Sequence, residues 1–284
     1  MKEIFKHTLI HSLEDTLKII PFLFVAFLII ELIEHKLSKK TKKIITKSGK
    51  FGPLLGGLLG LFPQCGFSVM ATNLYVTRII SLGTIIAIYL STSDEMLPIL
   101  ISNNVEITTI IKLLGIKLLV GVVVGFIIDF ILRKRKKEKI DYHICDEDEC
   151  HCENGIISST IKHTLSTVLF IFIATFILTI SIEVLGEENL SKIFLKNNIL
   201  APFISSLIGL IPNCASSVII TELYIENAIS LGAAMSGLLT NSGVALILLF
   251  KSNKNLKENF TILGLVYGIG ALSGVIIELI KIIL

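Results

Sequence analysis

The stretch from Gly60 to Val69, GLFPQCGFSV, returns from Gly209 to Val218 as GLIPNCASSV. In each copy a Gly-rich apolar run meets Pro, an amide side chain and Cys (Pro63, Gln64, Cys65; Pro212, Asn213, Cys214), after which apolar residues resume. The register extends well past the motif. Leu74-Tyr75 matches Leu223-Tyr224, Ser81-Leu82-Gly83 matches Ser230-Leu231-Gly232, and Ser91-Thr92-Ser93 matches Thr240-Asn241-Ser242, always at the offset that separates Cys65 from Cys214. An ungapped match of this length means two copies of one structural unit, so the fold must be built twice.

What surrounds the copies decides the solvent. Hydrophobic residues make up 52% of the chain and charged residues 17%, with a mean hydropathy of +0.81; soluble domains carry about 25% charged residues. The chain is an integral membrane protein, expected to be all-α. Runs long enough to cross a bilayer are Leu17–Leu32, Ile79–Ile101, Ile110–Leu132, Thr164–Leu185, Ala228–Phe250 and Thr261–Leu284. Phe51–Thr77 and Ile199–Ile225 are also apolar but carry the Pro-amide-Cys break near their middles. The first run lacks a small-residue cleavage site and is followed by Glu31 and Glu34, so it reads as a span, not a removable signal.

Charge distribution sets a topology. Lys36, Lys39, Lys40, Lys42, Lys43, Lys47 and Lys50 crowd one loop, Arg133–Lys139 forms a second basic cluster, and Lys251–Lys257 a weaker third. Short basic loops stay cytoplasmic. Ser102–Thr109 carries Glu106 and no base, so it belongs outside. An odd number of crossings must then separate Lys50 from Ser102, which a re-entrant hairpin turning at Pro63-Gln64-Cys65 and leaving by Arg78, plus one full span, provides. The second copy starts inside and so runs upside down. The expectation is two inverted repeats, 1–132 and 159–284, of about ten helical segments, joined by a cytoplasmic loop at 133–158, with both termini outside. Each broken stretch could instead be one continuous kinked helix; that would put one of the two main basic clusters outside.

A helix broken inside a bilayer frees backbone groups, which only protein or a water-filled cavity can satisfy. The turns therefore point to a substrate site offering Gln64, Cys65 and Ser68 from one copy and Asn213, Cys214, Ser216 and Ser217 from the other. Amides and hydroxyls hold ions through oxygen or anions through hydrogen, and thiolates select soft metals and metalloids. Small Cys residues also allow close helix packing. The following spans are interrupted by Ser91, Thr92, Ser93, Asp94 and Glu95 in one copy and by Thr240, Asn241 and Ser242 in the other, and polar residues at that depth usually face a pathway. Asp94 and Glu95 are the leading candidates for binding a cation or proton, unless they pair with a base such as Lys117. Glu222, on the second hairpin's return arm, is next.

The central loop packs His143, Cys145, Cys150, His151 and Cys152 with five carboxylates between His143 and Glu153. Such a tract can bind a transition metal, although its spacing matches no closed four-ligand finger; the alternative is a solvated acidic linker. His7 and His163 both occur in Lys-His-Thr-Leu, and apolar positions in Lys2–Lys18 suit a helix lying on the membrane surface.

The paired Pro63-Gln64-Cys65 and Pro212-Asn213-Cys214 turns and the Cys/His/acidic loop make the chain resemble the heavy-metal exporter family of bacterial permeases, whose members are described as arsenic efflux proteins or manganese transporters. The resemblance covers nearly the whole chain. It implies a secondary transporter in the bacterial cytoplasmic membrane that exports a metal cation or metalloid through a midplane site between the repeats. The competing readings are a carrier of a small organic or inorganic anion and a membrane metal sensor. No phosphate-binding loop is present, so ATP hydrolysis is not expected, and no nucleophile–base pair suggests an enzyme. The partners expected are a lipid bilayer and a small ion or solute, not nucleic acid. Proton or sodium coupling and a homodimer are both compatible with the sequence.

Overall fold

The computed structural model describes residues 51–63, 65–93, 95–133, 156–185 and 200–283, together with scattered helical positions between 13 and 28. Within them the fold is helical and the duplication is visible element by element. In the first repeat α1 (Gly52–Gly60), α2 (Cys65–Val76), α3 (Leu82–Ser91), α4 (Met96–Ser102) and α5 (Ile107–Arg133) follow one another. After α6 (Ile156–Leu185) come α7 (Ala201–Gly209), α8 (Cys214–Ile225), α9 (Leu231–Thr240), α10 (Ala245–Ser252) and α11 (Leu256–Ile283). From α7 onward every element starts at the 149-residue offset of Cys214 from Cys65.

Local chemistry fixes these boundaries twice over. Pro53 and Pro202 open α1 and α7, where a missing N–H is harmless. Ser81 caps α3 by accepting from Thr84 N at 3.1 Å, and Ser230 caps α9 by accepting from Ala233 N at 3.2 Å, each worth about 1 kcal/mol. α2 ends in a Schellman motif: Ile79 N donates to Leu74 O and Arg78 N to Tyr75 O, both at 2.8 Å. α8 repeats it through Ala228 and Asn227. Arg78 and Asn227 therefore sit at φ 60 and φ 56. These caps are why the third and ninth helices begin later than hydropathy alone suggests, at Leu82 and Leu231.

α1 lies against α3, Gly52 beside Thr84 and Gly60 beside Ile88 and Ser91, so it stops where α3 stops. α2 then returns to the side from which α1 came. The pair is a re-entrant hairpin, as α7 and α8 are in the other repeat. Together α3 and α4 make one membrane-length segment, Leu82–Ser102, and α9 and α10 another, Leu231–Ser252; the long spans are Ile107–Leu132 and Leu256–Ile280. The last span starts five residues ahead of its apolar run. Its first turn is polar because Asn259 closes on Asn253, with Nδ2 donating to the Asn253 carbonyl at 2.8 Å.

Three contacts settle the relative direction of the repeats. Near the end of α5, Asp129 accepts from Gly83 N at 2.9 Å and from Ser81 Oγ at 2.6 Å, so the end of α5, the start of α3 and the neighbouring Arg78 share one face. Glu258, in the first turn of α11, is held on that same face by a bidentate pair with Arg78 (Nη2 to Oε2, 2.7 Å). Yet its counterpart, Thr109, opens α5 at the opposite face. The second repeat is therefore upside down relative to the first. Lys251 shares the Arg78 face and reaches the Ser166 carbonyl (3.2 Å) and the Phe170 ring, both in the N-terminal half of α6. Leu119, Phe130, Leu165 and Leu272, on α5, α6 and α11, are each at least 60% exposed, a liability in water and the expected surface toward lipid.

The repeats interlock reciprocally, α2 packing on α10 and α4 on α8. Of the expectations above, the surface-helix residues 2–12, His7, the basic loop Lys36–Lys50, the Lys134–Lys139 run and the central Cys/His tract lie outside the described residues. So do Gln64 and Asp94.

Candidate functional site

Each hairpin turns because proline removes a donor just where the chain must stop being helical. In the second copy Asn213 is extended (φ −145, ψ 149), and its Oδ1 accepts from Ala215 N at 3.3 Å to cap α8. Ser216 Oγ donates to Asn213 O at 2.8 Å and to Ile211 O at 3.2 Å, so the turn is stitched to itself. Ser68 and Ser217, equivalent positions, donate to the carbonyls of Cys65 and Cys214 at 2.8 Å. Both turns end halfway along the flanking spans, and there they meet: Cys65 Sγ and Cys214 Sγ are 3.2 Å apart. Equivalent residues touch in this way only close to a twofold axis relating the repeats. The two are thiols and not a disulfide, Cys214 buried and Cys65 half-buried.

The breaks in the neighbouring spans close around the turns. α9 gives way at Asn241, Ser242 and Gly243, the last at φ 58, a conformation that suits glycine. Asn241 holds both partners: Nδ2 donates to Ser216 Oγ at 2.9 Å and Oδ1 accepts from Gly243 N at 2.7 Å. Ser68 crosses the repeat boundary and donates to the Ser242 carbonyl at 3.3 Å. Ser242 Oγ itself is buried without a hydrogen-bond partner among the described residues. Buried hydroxyls are usually paired, which sets this one apart beside the turns.

The structure thus brings together Cys65, Ser68, Asn213, Cys214, Ser216, Ser217, Asn241 and Ser242. Thr92 and Ser93 lie buried in the other break, donating to Ile88 O and Ser91 O within their own segment. Glu95 is half-buried at the start of α4. Ser91 and Thr240 face away from the turns, Ser91 donating to the Lys117 carbonyl and Thr240 to that of Ser206. Both support the helix packing behind the site. Glu222 is exposed on α8, two helical turns beyond Cys214, and is not brought to the turns. Among the described residues no group of three or more His, Cys, Asp or Glu is placed to hold a metal. The donor set at the turns is two sulfurs surrounded by hydroxyl, amide and carbonyl oxygens.

Three features were weakly signalled or silent in the sequence. Lys117, which the sequence offers only as a base that could pair with Asp94 or Glu95, lies inside α5, 1% exposed, with Nζ donating to Leu238 O in the other repeat at 2.5 Å. Tyr89, fully buried, shares a hydrogen bond with Thr72 at 2.7 Å, and Thr72 donates to the Ser68 carbonyl at 2.8 Å, so α3 steadies the first turn. Arg78 clamps Glu258 across the repeat boundary. Aligning the copies gives the one available clue: Lys117 and Arg78 stand opposite Val266 and Asn227, charges the shared scaffold does not need.

A family model described as "Putative, 10TM heavy-metal exporter" matches residues 5–184 and, in a second segment, 155–282. No curated protein and no solved structure matches the chain.

Proposed function

This chain belongs to the 10TM heavy-metal exporter family, and on that premise we propose that it exports a thiophilic metal or metalloid through a site at the junction of the two hairpin turns, with Cys65 and Cys214 as its ligands. The observation that carries this reading is the 3.2 Å separation of the two sulfurs. With metal–sulfur bonds of about 2.3 Å, sulfurs at this distance subtend roughly 90° at a shared ion, whereas linear coordination needs about 4.6 Å between them. The pair suits a bent, pyramidal centre such as a trivalent metalloid better than a linearly coordinated monovalent metal. Binding of a neutral hydroxide of that kind exchanges two S–H and two hydroxyl groups for two sulfur bonds and two waters, which moves no net charge into the bilayer. Ser242 Oγ and the Asn213 side chain supply polar contacts for a remaining hydroxyl.

Asp94 and Glu95 would balance charge or carry a coupling proton in this scheme, and the His143–Cys152 tract would capture the ion before transport. We take the shared face of Arg78, Lys251, Lys254 and Lys257 as cytoplasmic from the bias of basic residues, with the tract on that side, from which export begins. Membrane-impermeant labelling should therefore reach Lys254→Cys only from the cytoplasm and Asn104→Cys only from outside; the reverse pattern overturns this orientation.

One feature favours a second reading. The N-termini of α2 and α8 converge at the cysteines, and paired helix N-termini attract anions. Flux through the purified protein in liposomes separates the two. Arsenite or antimonite movement, with no phosphate, sulfate or carboxylate movement, is the expected result. Anion flux without any thiophilic substrate would remove the proposal.

A further inference from the structure

We infer that the break at the end of α9 is a monovalent-cation subsite and that its occupant is the ammonium group of Lys117, a cation carried by the chain itself. α9 ends at Thr240, and Asn241, after donating to Gly237 O, turns away at ψ 108, so the carbonyls from Leu238 onward lose the donors a continuing helix would supply. These carbonyls form the negative end of the half-helix. In transporters built from inverted repeats, unwound carbonyls of this kind coordinate a coupling cation. Here the Leu238 carbonyl accepts from Lys117 Nζ at 2.5 Å.

The lysine is placed for this role by both repeats. Its own backbone carbonyl accepts from Ser91 Oγ, the last residue of α3, at 3.4 Å, so Lys117 spans the ends of the two broken helices. It is 1% exposed at the interface of α5 with α9. An ionisable side chain at this depth is costly to bury, and the duplicated scaffold has no need of it, since the equivalent position in α11 is the buried Val266. A hydrogen bond alone would not require a charge. The negative end of a half-helix, where the Leu238 carbonyl lies, does favour one. Because the cation is tethered, the second repeat does not depend on free sodium or potassium at this position.

The test is to remove the tether and supply the cation from solution, with the full chain purified in detergent. In choline chloride, Lys117→Ala is expected to melt several degrees below wild type. Exchange of choline for ammonium or methylammonium should restore most of the loss in a saturable manner, while wild type and Lys117→Arg should not respond. Thermal stability is read without any transport substrate, so failure here is distinguishable from failure of the proposed export activity. Lys117→Gln separates charge from hydrogen bonding, because its amide can still donate to the Leu238 carbonyl. Wild-type stability in Lys117→Gln, or an alanine variant equal to wild type in choline, would overturn the inference. Should Lys117→Ala yield no folded protein in choline, purification in ammonium decides: recovery supports the subsite, and loss in both salts removes it.

Discussion

Changing both Cys65 and Cys214 to serine is expected to abolish flux of thiophilic substrates in liposomes, a loss of at least about 100-fold, while the protein remains folded. The reasoning is chemical. Serine keeps the size and hydrogen-bonding capacity of each position, so the Ser68 and Ser217 bonds to the neighbouring backbone carbonyls can persist. What disappears is the soft donor, and oxygen ligands select hard cations instead. A single substitution leaves one sulfur, and because the two thiols act at one centre the single and double variants should be similarly impaired, not additive. Direct measurement is available in the binding of an arylarsenical that bridges two thiols: wild type should be protected from it by substrate, and each single variant should fail to form the bridged adduct. Arsenite flux in the double variant at the wild-type rate would show that the sulfurs only pack the turns.

Gly125→Leu is expected to prevent accumulation of folded protein altogether. Three helices of the first repeat meet at this position: a Cβ there would lie 2.6 Å from the Gly83 carbonyl, 2.9 Å from Pro53 Cβ and 3.0 Å from Ala87 Cβ. Two of these neighbours belong to backbone or to a rigid ring, so they cannot move aside as a flexible side chain would. Even Gly125→Ala should destabilise by about 1–3 kcal/mol, the usual range for forcing a methyl into a filled interior. Gly274 occupies the equivalent seam, with Ser236, Gly232 and Pro202 as its neighbours, and its substitution should behave alike. Gly115 is the internal control. It lies in the same helix as Gly125 but has nothing within 4 Å of a would-be Cβ, and neither has its counterpart Gly264. Gly115→Ala should therefore leave thermal stability in detergent unchanged or slightly raised. Equal effects at Gly115 and Gly125 would mean that helix propensity, not the seam, limits stability.

Both predictions concern places where the membrane changes the usual accounting. Between helices in lipid there is little hydrophobic drive, since the tails are as apolar as leucine. Association relies on close approach and on polar contacts. The first is provided by glycines in the seams, such as Gly83 and Gly125 in one repeat and Gly232 and Gly274 in the other. The second is provided by Asp129 and Glu278, equivalent residues whose carboxylates accept from the N–H groups of Gly83 (2.9 Å) and Gly232 (3.1 Å) at the start of each broken helix. In sequence these acids look like mere span-end charges. They satisfy donors that lipid could not.

The sequence by itself determined the membrane class, the duplication, the hairpin turns and the inverted relation of the repeats. Those rest on quantities carried by a linear chain: hydropathy summed over a span, proline positions, an exact repeat offset and the sign of loop charges. It also marked Cys65, Cys214, Asn213 and the hydroxyls beside them, because a polar break repeated in an apolar run is costly unless it is used. Only the tertiary structure decided that the two thiols meet. It likewise decided that Ser91 and Thr240 turn toward neighbouring helices, that Glu222 stands exposed on α8, and that Lys117 reaches a carbonyl of the opposite repeat. The reason is that a helical residue's direction and depth depend on which element packs against it, and the decisive neighbours lie 26 and 34 residues away for Ser91 and Thr240 and 121 and 149 residues away for Lys117 and the thiols, across an axis that no local pattern encodes.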